Sequence, residues 1–249
     1  MDMLYNIKEK ISADGFAVME NIFSNIEVAD LLHIISQADT SKPTFRKTND
    51  LFAIRQFFKE IPASVTKVFN DKFITLIESI FGTGYFVVKS IYFDKPANSN
   101  WFVAYHQDLT ISVDQKTDIP GFGPWTKKEN QFAVQPPLAI LEDNFTIRIH
   151  LDDTTEANGA LKVIAGSHVK GITRATAIDH SIEKEITCAV PKGGVMLMKP
   201  LLLHSSGRTT NNNKRRVLHI EFSRLTLPHD LQWSERIDVA PTFPAPGSA

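Results

Sequence analysis

The chain has 249 residues, 43% hydrophobic and 22% charged, with 27 Lys and Arg against 28 Asp and Glu for a net charge of −1. Such a composition belongs to a folded globular chain with a core of useful size, and near-neutrality gives no general attraction to nucleic acid or to an anionic membrane. The single cysteine, Cys188, excludes an internal disulfide; with no signal-peptide pattern and no apolar run long enough to span a bilayer, the expected location is the cytoplasm.

In chain order, Leu4, Ile7 and Ile11 share one face of a predicted helix from Leu4 to Ala13, which Asp14-Gly15 ends before a short strand, Phe16 to Met19. Ser24-Asn25-Ile26-Glu27 has the spacing of a capping box, and Val28, Leu31, Leu32 and Ile35 form the apolar stripe of the helix behind it. Residues 40–55 are polar, contain Pro43 and read as a loop; Arg46 and Arg55 on it are either solvated or turned toward a substrate. Pro62 opens a third predicted helix, and Gly82 ends it. Val65, Val68, Phe69, Phe73, Leu76, Ile77 and Ile80 face the core.

The period then changes to two. Tyr85 to Phe93 and Trp101 to Ile111 read as strands around a turn at Asp94 to Asn98. Residues 112–135 form a long polar connection bearing Phe122, Trp125 and Phe132, suited to closing over a pocket, with Trp125 either a cover or an anchor. Further strands are predicted at Pro136 to Leu141, Phe145 to Leu151, Ala160 to Ile164, Val195 to Met198 and Val217 to Phe222. In the second of these, Ile147, Ile149 and Leu151 face one way and Arg148 and His150 the other. The end from Ala240 reads as loosely held. Helices first and short strands later predict one α+β domain over residues 1–249, mainly β, with a barrel or jelly-roll core.

His106-Gln107-Asp108 is the chemical centre. On a strand, residues i and i+2 share a face, so an imidazole and a carboxylate aim at one point. They are two thirds of a 2-His-1-carboxylate set, which leaves open positions on iron(II). The third ligand must come from among His150, His168, His180, His204, His219 and His229. His204 stands out: it follows an apolar run, precedes Ser205-Ser206-Gly207, and has Arg215 opening the next strand. An Arg there supplies a two-pronged donor for a carboxylate.

H-Q-D at 106–108, L-D-D-T-T-E-A-N-G-A-L at 151–161, A-G-S-H at 165–168, L-L-L-H-S-S-G at 201–207 and Arg215 together resemble the phytanoyl-CoA dioxygenase family of iron and 2-oxoglutarate oxygenases, over most of the chain. The resemblance implies a double-stranded β-helix (jelly-roll, cupin-like) core with the amino-terminal helices packed on one sheet. It implies Fe(II) held by His106, Asp108 and His204, with 2-oxoglutarate bound by Arg215 with help from Ser206, and O₂ as co-substrate. It also implies hydroxylation, since related halogenases lack the carboxylate at the Asp108 position; desaturation, epimerisation and ring formation stay open. The expected partner is a small-molecule substrate, with no nucleic acid and no membrane. Arg148, Lys89 or Arg46 turned inward would suit an amino acid or other small carboxylate, with Trp125 against it. No peroxisomal ending or basic cluster for a CoA phosphate is seen, so the family's name is not read as the substrate. Two other classes share the ligand set: a metal-dependent isomerase or hydrolase, in which Arg215 has no required role, and a binding module that kept the fold.

Overall fold

A computed structural model of the chain describes residues 3–50, 52–128, 131–173 and 183–239. The end from Ala240 and the candidate ligand His180 lie outside the described residues. Among the described residues the strands form antiparallel sheets of eight, four and three strands. The largest runs β1 (Phe16–Met19), β12 (Val195–Met198), β9 (Phe145–His150), β14 (Arg215–Ser223), β4 (Phe86–Lys95), β3 (Phe52–Arg55), β2 (Phe45–Lys47), with β15 (Ile237–Asp238) against β4. The second runs β11 (Glu185–Cys188), β10 (Leu161–Ile164), β13 (His204–Ser206), β5 (Val103–His106). The third is β6 (Ile111–Val113), β8 (Gln131–Val134), β7 (Trp125–Lys128).

Strand alternation explains the layers. Leu218, Ile220 and Phe222 of β14, Ile147 and Ile149 of β9, and Val195 and Leu197 of β12 enter one core. Helices α1 (Met3–Asp14), α2 (Asn25–Ser36) and α5 (Asp71–Phe81) close that core from outside. The alternate positions of the same strands face the four-stranded sheet: Met196 and Met198 pack with Leu161, Val163 and Cys188. Arg148, Arg215, His219 and Glu221 line a cavity there. Two open sheets face to face, with helices on one of them, are a double-stranded β-helix, as expected; no barrel closes among the described residues. No helix among the described residues is long and apolar enough to cross a membrane.

The α2 capping box forms as read, with Glu27 N–H donating to Ser24 Oγ at 3.2 Å and Ser24 N–H to Glu27 Oε2 at 2.7 Å. Other expectations need correction. The third helix is broken. A 3₁₀ turn at Pro62–Ser64 leads into α4 (Val65–Val68), behind a short α3 (Phe57–Glu60), and the chain leaves helical geometry at Phe69, with φ −92° and ψ 61°. Phe69 wedges between Phe58, Phe73 and Phe222, and Asn70 restarts the helix as a cap, accepting from Phe73 N–H at 2.9 Å. Residues predicted as a strand from Pro136 are instead α6 (Leu138–Asp143), since a proline pair removes two ladder donors and Pro137 can sit at a helix start. The loop 40–55 folds as the β2–β3 hairpin on the edge of the large sheet. The polar connection 112–135 supplies nearly all of the three-stranded sheet, while residues 114–124 stay outside it.

The turn before β12 brings the backbone close. Gly193 has φ +79°, and its carbonyl accepts from Ile22 and Phe23 N–H. A Cβ on Gly193 would lie 2.1 Å from the Phe23 carbonyl oxygen. Gly193→Ala is therefore expected to destabilise the fold by about 3 kcal/mol or more, through strain at positive φ plus a backbone clash. Chemical denaturation reads it; a loss under about 1 kcal/mol would mean the turn relaxes freely.

Candidate metal centre and the cavities around it

His106 and His204 are direct cross-strand partners of β5 and β13, and their rings lie 4.2 Å apart between centroids. Each Nδ1 lies 2.9 Å from a backbone carbonyl two residues earlier, Ala104 for His106 and Leu202 for His204. A carbonyl can only accept, so Nδ1 carries the proton in both rings and both Nε2 lone pairs point away from the strands.

Asp108 reaches the same point by a different route than expected. The strand ends at His106, and Asp108 lies beyond it, its N–H donating to Pro200 O at 2.9 Å. Between them, Gln107 locks the turn. Its amide donates to Leu201 O at 2.6 Å and Gly171 O at 2.8 Å, and its oxygen accepts from Thr173 N–H at 2.8 Å. Replacing Gln107 by Ala leaves these buried groups unmet, so about 2–4 kcal/mol of stability is expected to go, with weaker metal binding. Denaturation and metal titration of the variant check it; full metal affinity would show that Asp108 is held without Gln107.

The Asp108 oxygens lie 3.9 Å from His106 Nε2 and 3.9 Å from His204 Nε2. That is too long for a hydrogen bond and short enough for one shared ion. All three ligand atoms fall within 4.8 Å of one another, and Asp108 Oδ2 is buried without a hydrogen-bond partner among the described residues. Burial alone would raise the Asp108 carboxyl, but the fields of His204, His219 and Lys89 outweigh it and hold it at about 2. Burial pulls His204 down to about 4. A carboxylate and a neutral buried imidazole at neutral pH are the forms a divalent metal requires.

Asp108, His219 and Glu221 also cluster within 4.8 Å. That set is spent internally. His219 Nδ1 accepts from Arg148 at 2.9 Å, its Nε2–H donates to Glu221 at 3.1 Å, and Lys89 holds Glu221 at 2.8 Å. His150 is buried against Thr154, His168 bonds Ser12 O, and His229 is exposed.

Arg215 projects into the cavity beside His106, Asp108 and His204, with Ser206 also lining it. It is 2% exposed, donates to Ser206 Oγ at 3.4 Å, and leaves Nε and Nη1 without partners among the described residues. Burial, then the neighbouring Arg148 charge, lowers it to about 9, still cationic at neutral pH. Arg216 turns to the other face and grips both Asp152 oxygens, at 2.8 and 2.6 Å. This cavity, of about 150 Å³, has an apolar side made of Ile91, Phe93, Trp101, Val103 and Leu161. A second cavity, of about 230 Å³, meets it at Asp108, Lys89 and Ile91 and is otherwise lined mainly by polar groups, among them Arg55, Thr110, Gln131 and Glu235.

Of the residues expected to meet a substrate, Lys89 and Arg148 line the first cavity, although both are paired. Arg46 and Trp125 line neither. Arg46 is exposed on the edge strand β2, and Trp125 packs with Phe122 and Phe132 on the apolar cluster behind the small sheet. His219 entered the sequence reading only as one candidate third ligand, and Glu221 and Glu235 did not enter it; the alternation of Arg215, His219 and Glu221 along one strand places the first two on the cavity face.

A family model described as Phytanoyl-CoA dioxygenase (PhyH) matches residues 11–217. The L-proline trans-4-hydroxylase of Streptomyces griseoviridis is 30% identical over a stretch covering 34% of this chain and 42% of that enzyme, so the chain spans less than half of that relative's length. Among solved structures, EctD from S. alaskensis with 2-oxoglutarate and 5-hydroxyectoine has a TM-score of 0.68 at 18% identity, over 90% of this chain and 76% of EctD. The α-ketoglutarate-dependent carbocyclase SnoK from nogalamycin biosynthesis has a TM-score of 0.67 at 13% identity, over 90% and 84%. At these identities the two structures establish the shared fold.

Proposed function

The chain belongs to the phytanoyl-CoA dioxygenase family, and from that premise we propose that it is an iron(II)- and 2-oxoglutarate-dependent oxygenase. In this reading it hydroxylates an unactivated C–H of a small metabolite, an amino acid or other small carboxylate. The observation that carries the proposal is the meeting of His106, Asp108 and His204 in one cavity with Arg215 and Ser206. When bound, iron(II), 2-oxoglutarate and O₂ supply oxidative decarboxylation to succinate and CO₂ coupled to C–H oxidation.

The chain's own groups do the rest. His106, Asp108 and His204 would hold the metal, through one ligand atom each. Arg215 supplies a fixed guanidinium for the distal carboxylate of 2-oxoglutarate. Ser206 orients it: its hydroxyl donates to Gly159 O at 3.1 Å and accepts from Arg215. Ile91, Phe93, Val103 and Leu161 exclude water from that side, which strengthens each charged contact. Asp108 occupies the position a halide would need, which favours hydroxylation over halogenation. The named proline hydroxylase supports a small amino-acid-like substrate. The test is succinate release with iron(II), 2-oxoglutarate and a panel of amino acids, acyl thioesters and other small metabolites. Succinate formation that depends on iron, 2-oxoglutarate and one panel class supports the reading. Metal-dependent turnover without 2-oxoglutarate would replace it with an isomerase or hydrolase.

A further inference from the structure

We infer that the second cavity seats the substrate to be oxidised and that Arg55 binds the carboxylate of that substrate, with Glu235 facing its amino group, so that the ligand class is a small amino acid. The inference rests on the oxygenase reading and adds where the substrate lies and which side chains select it.

The two cavities divide the work by their linings. Arg215, Ser206 and His204 border only the first, and Arg55, Gln131 and Glu235 border only the second; Asp108 borders both. A molecule in the second cavity therefore lies against the metal centre without displacing the carboxylate held by Arg215. Each cation near this junction except one has an ion-pair or hydrogen-bond partner. Lys89 is paired with Glu221 at 2.8 Å, Arg148 donates to His219 at 2.9 Å, and Lys59 donates to the Ser234 carbonyl. Arg55 has no ion-pair partner among the described residues, although it is half-buried and on the cavity wall. Its backbone is fixed in β3 by pairing with Ile91 and by donation from its N–H to Thr44 O at 3.0 Å. A guanidinium on a rigid strand, unmatched and facing a cavity, is a ready two-pronged site for a carboxylate.

Glu235 supplies the complementary acceptor: burial pushes its carboxyl up to about 7, and a cation arriving beside it favours the ionised form. It is 1% exposed, and both its oxygens are held by Ser90, through N–H at 2.8 Å and Oγ at 2.6 Å. It therefore presents a fixed carboxyl group with lone pairs left for a cationic donor. Thr110, Ser112 and Gln131 make the remaining wall polar, with Ile91 and Ala133 its apolar members. One unmatched cation and one buried carboxyl group in a small polar cavity complement a zwitterion and give little purchase to a long acyl chain.

The test uses the full chain, loaded with iron(II) and 2-oxoglutarate under anaerobic conditions and titrated calorimetrically with each proteinogenic L-amino acid. At least one should bind. Arg55→Gln should weaken that amino acid by about 10–100-fold, the worth of a charge-assisted hydrogen-bonded contact, while 2-oxoglutarate affinity stays as in the wild type. Arg55→Lys, which keeps the charge and loses the fork, should fall between. The decarboxylated amine of the same amino acid should bind weakly and equally to wild type and Arg55→Gln. Equal affinity of the amino acid for wild type and Arg55→Gln overturns the inference. So does the absence of any bound amino acid in a protein that binds 2-oxoglutarate. Failure to bind 2-oxoglutarate sinks the oxygenase reading itself, and this inference with it.

Discussion

Asp108→Ala is expected to strip the protein of bound iron and to lower succinate release by about a thousandfold or more, the rate equivalent of losing several kcal/mol of metal-centred stabilisation. The variant keeps two imidazoles and loses the only anionic donor of the three converging side chains. Two His ligands on adjacent strands cannot by themselves neutralise a divalent ion in a buried site. The metal-free variant should keep its fold with at most a modest loss of stability, because the folded state holds the Asp108 carboxyl below its ordinary value, at about 2, and the charges that favour the carboxylate lose it. Elemental analysis of dialysed protein, succinate assays and a thermal melt form one test. A variant that keeps its iron and its activity would remove Asp108 from the metal centre. A variant that loses both but also unfolds would make Asp108 a structural residue.

Arg215→Ala is expected to raise the 2-oxoglutarate requirement by about 30-fold to 4,000-fold, because truncating one partner of a buried charge pair costs about 2–5 kcal/mol. The guanidinium is fully desolvated, with Nε and Nη1 lacking partners among the described residues. A buried cation held in that condition destabilises the chain by itself and is compensated when a carboxylate arrives. Two consequences follow. Saturating 2-oxoglutarate should stabilise the wild type against heat, by about 2.7 kcal/mol at one hundred times its dissociation constant, and should not stabilise Arg215→Ala. Arg216→Ala should leave the 2-oxoglutarate requirement unchanged and cost about 1 kcal/mol or less of stability, since its pair with Asp152 is partly exposed. A larger co-substrate effect from Arg216 than from Arg215 would place the wrong residue of β14 in the cavity.

Much of the site was legible because it is written at short range. His106 and Asp108 are two residues apart. His204 is marked by the apolar run before it and Ser205-Ser206-Gly207 after it, and Arg215 and Arg216 are separated by strand parity alone. Helix α1, strand β1 and the capping box of α2 were legible for the same reason, since their stabilising contacts lie within a few residues. The errors fall where a long-range contact wins. Phe69 leaves its helix because Phe58 and Phe222 hold it in the core, and the two ends of the polar stretch 112–135 become strands because β8 pairs on both sides.

The sequence by itself therefore determined the family, the metal ligands to propose, the parity of Arg215 and the order of helices before strands. These depend on residue type and near spacing, which one chain displays directly. Only the tertiary structure decided which cations have partners. Arg46 and Arg55 are alike in the sequence, nine positions apart on one polar stretch. Folding leaves Arg46 exposed on the sheet edge and sets Arg55 on the wall of a cavity beside Asp108. Lys89 is matched by Glu221 from a strand far along the chain. Whether a charge is free to bind a ligand depends on which opposite charges and how much water surround it, and those neighbours are assembled by sheet pairing across the whole chain.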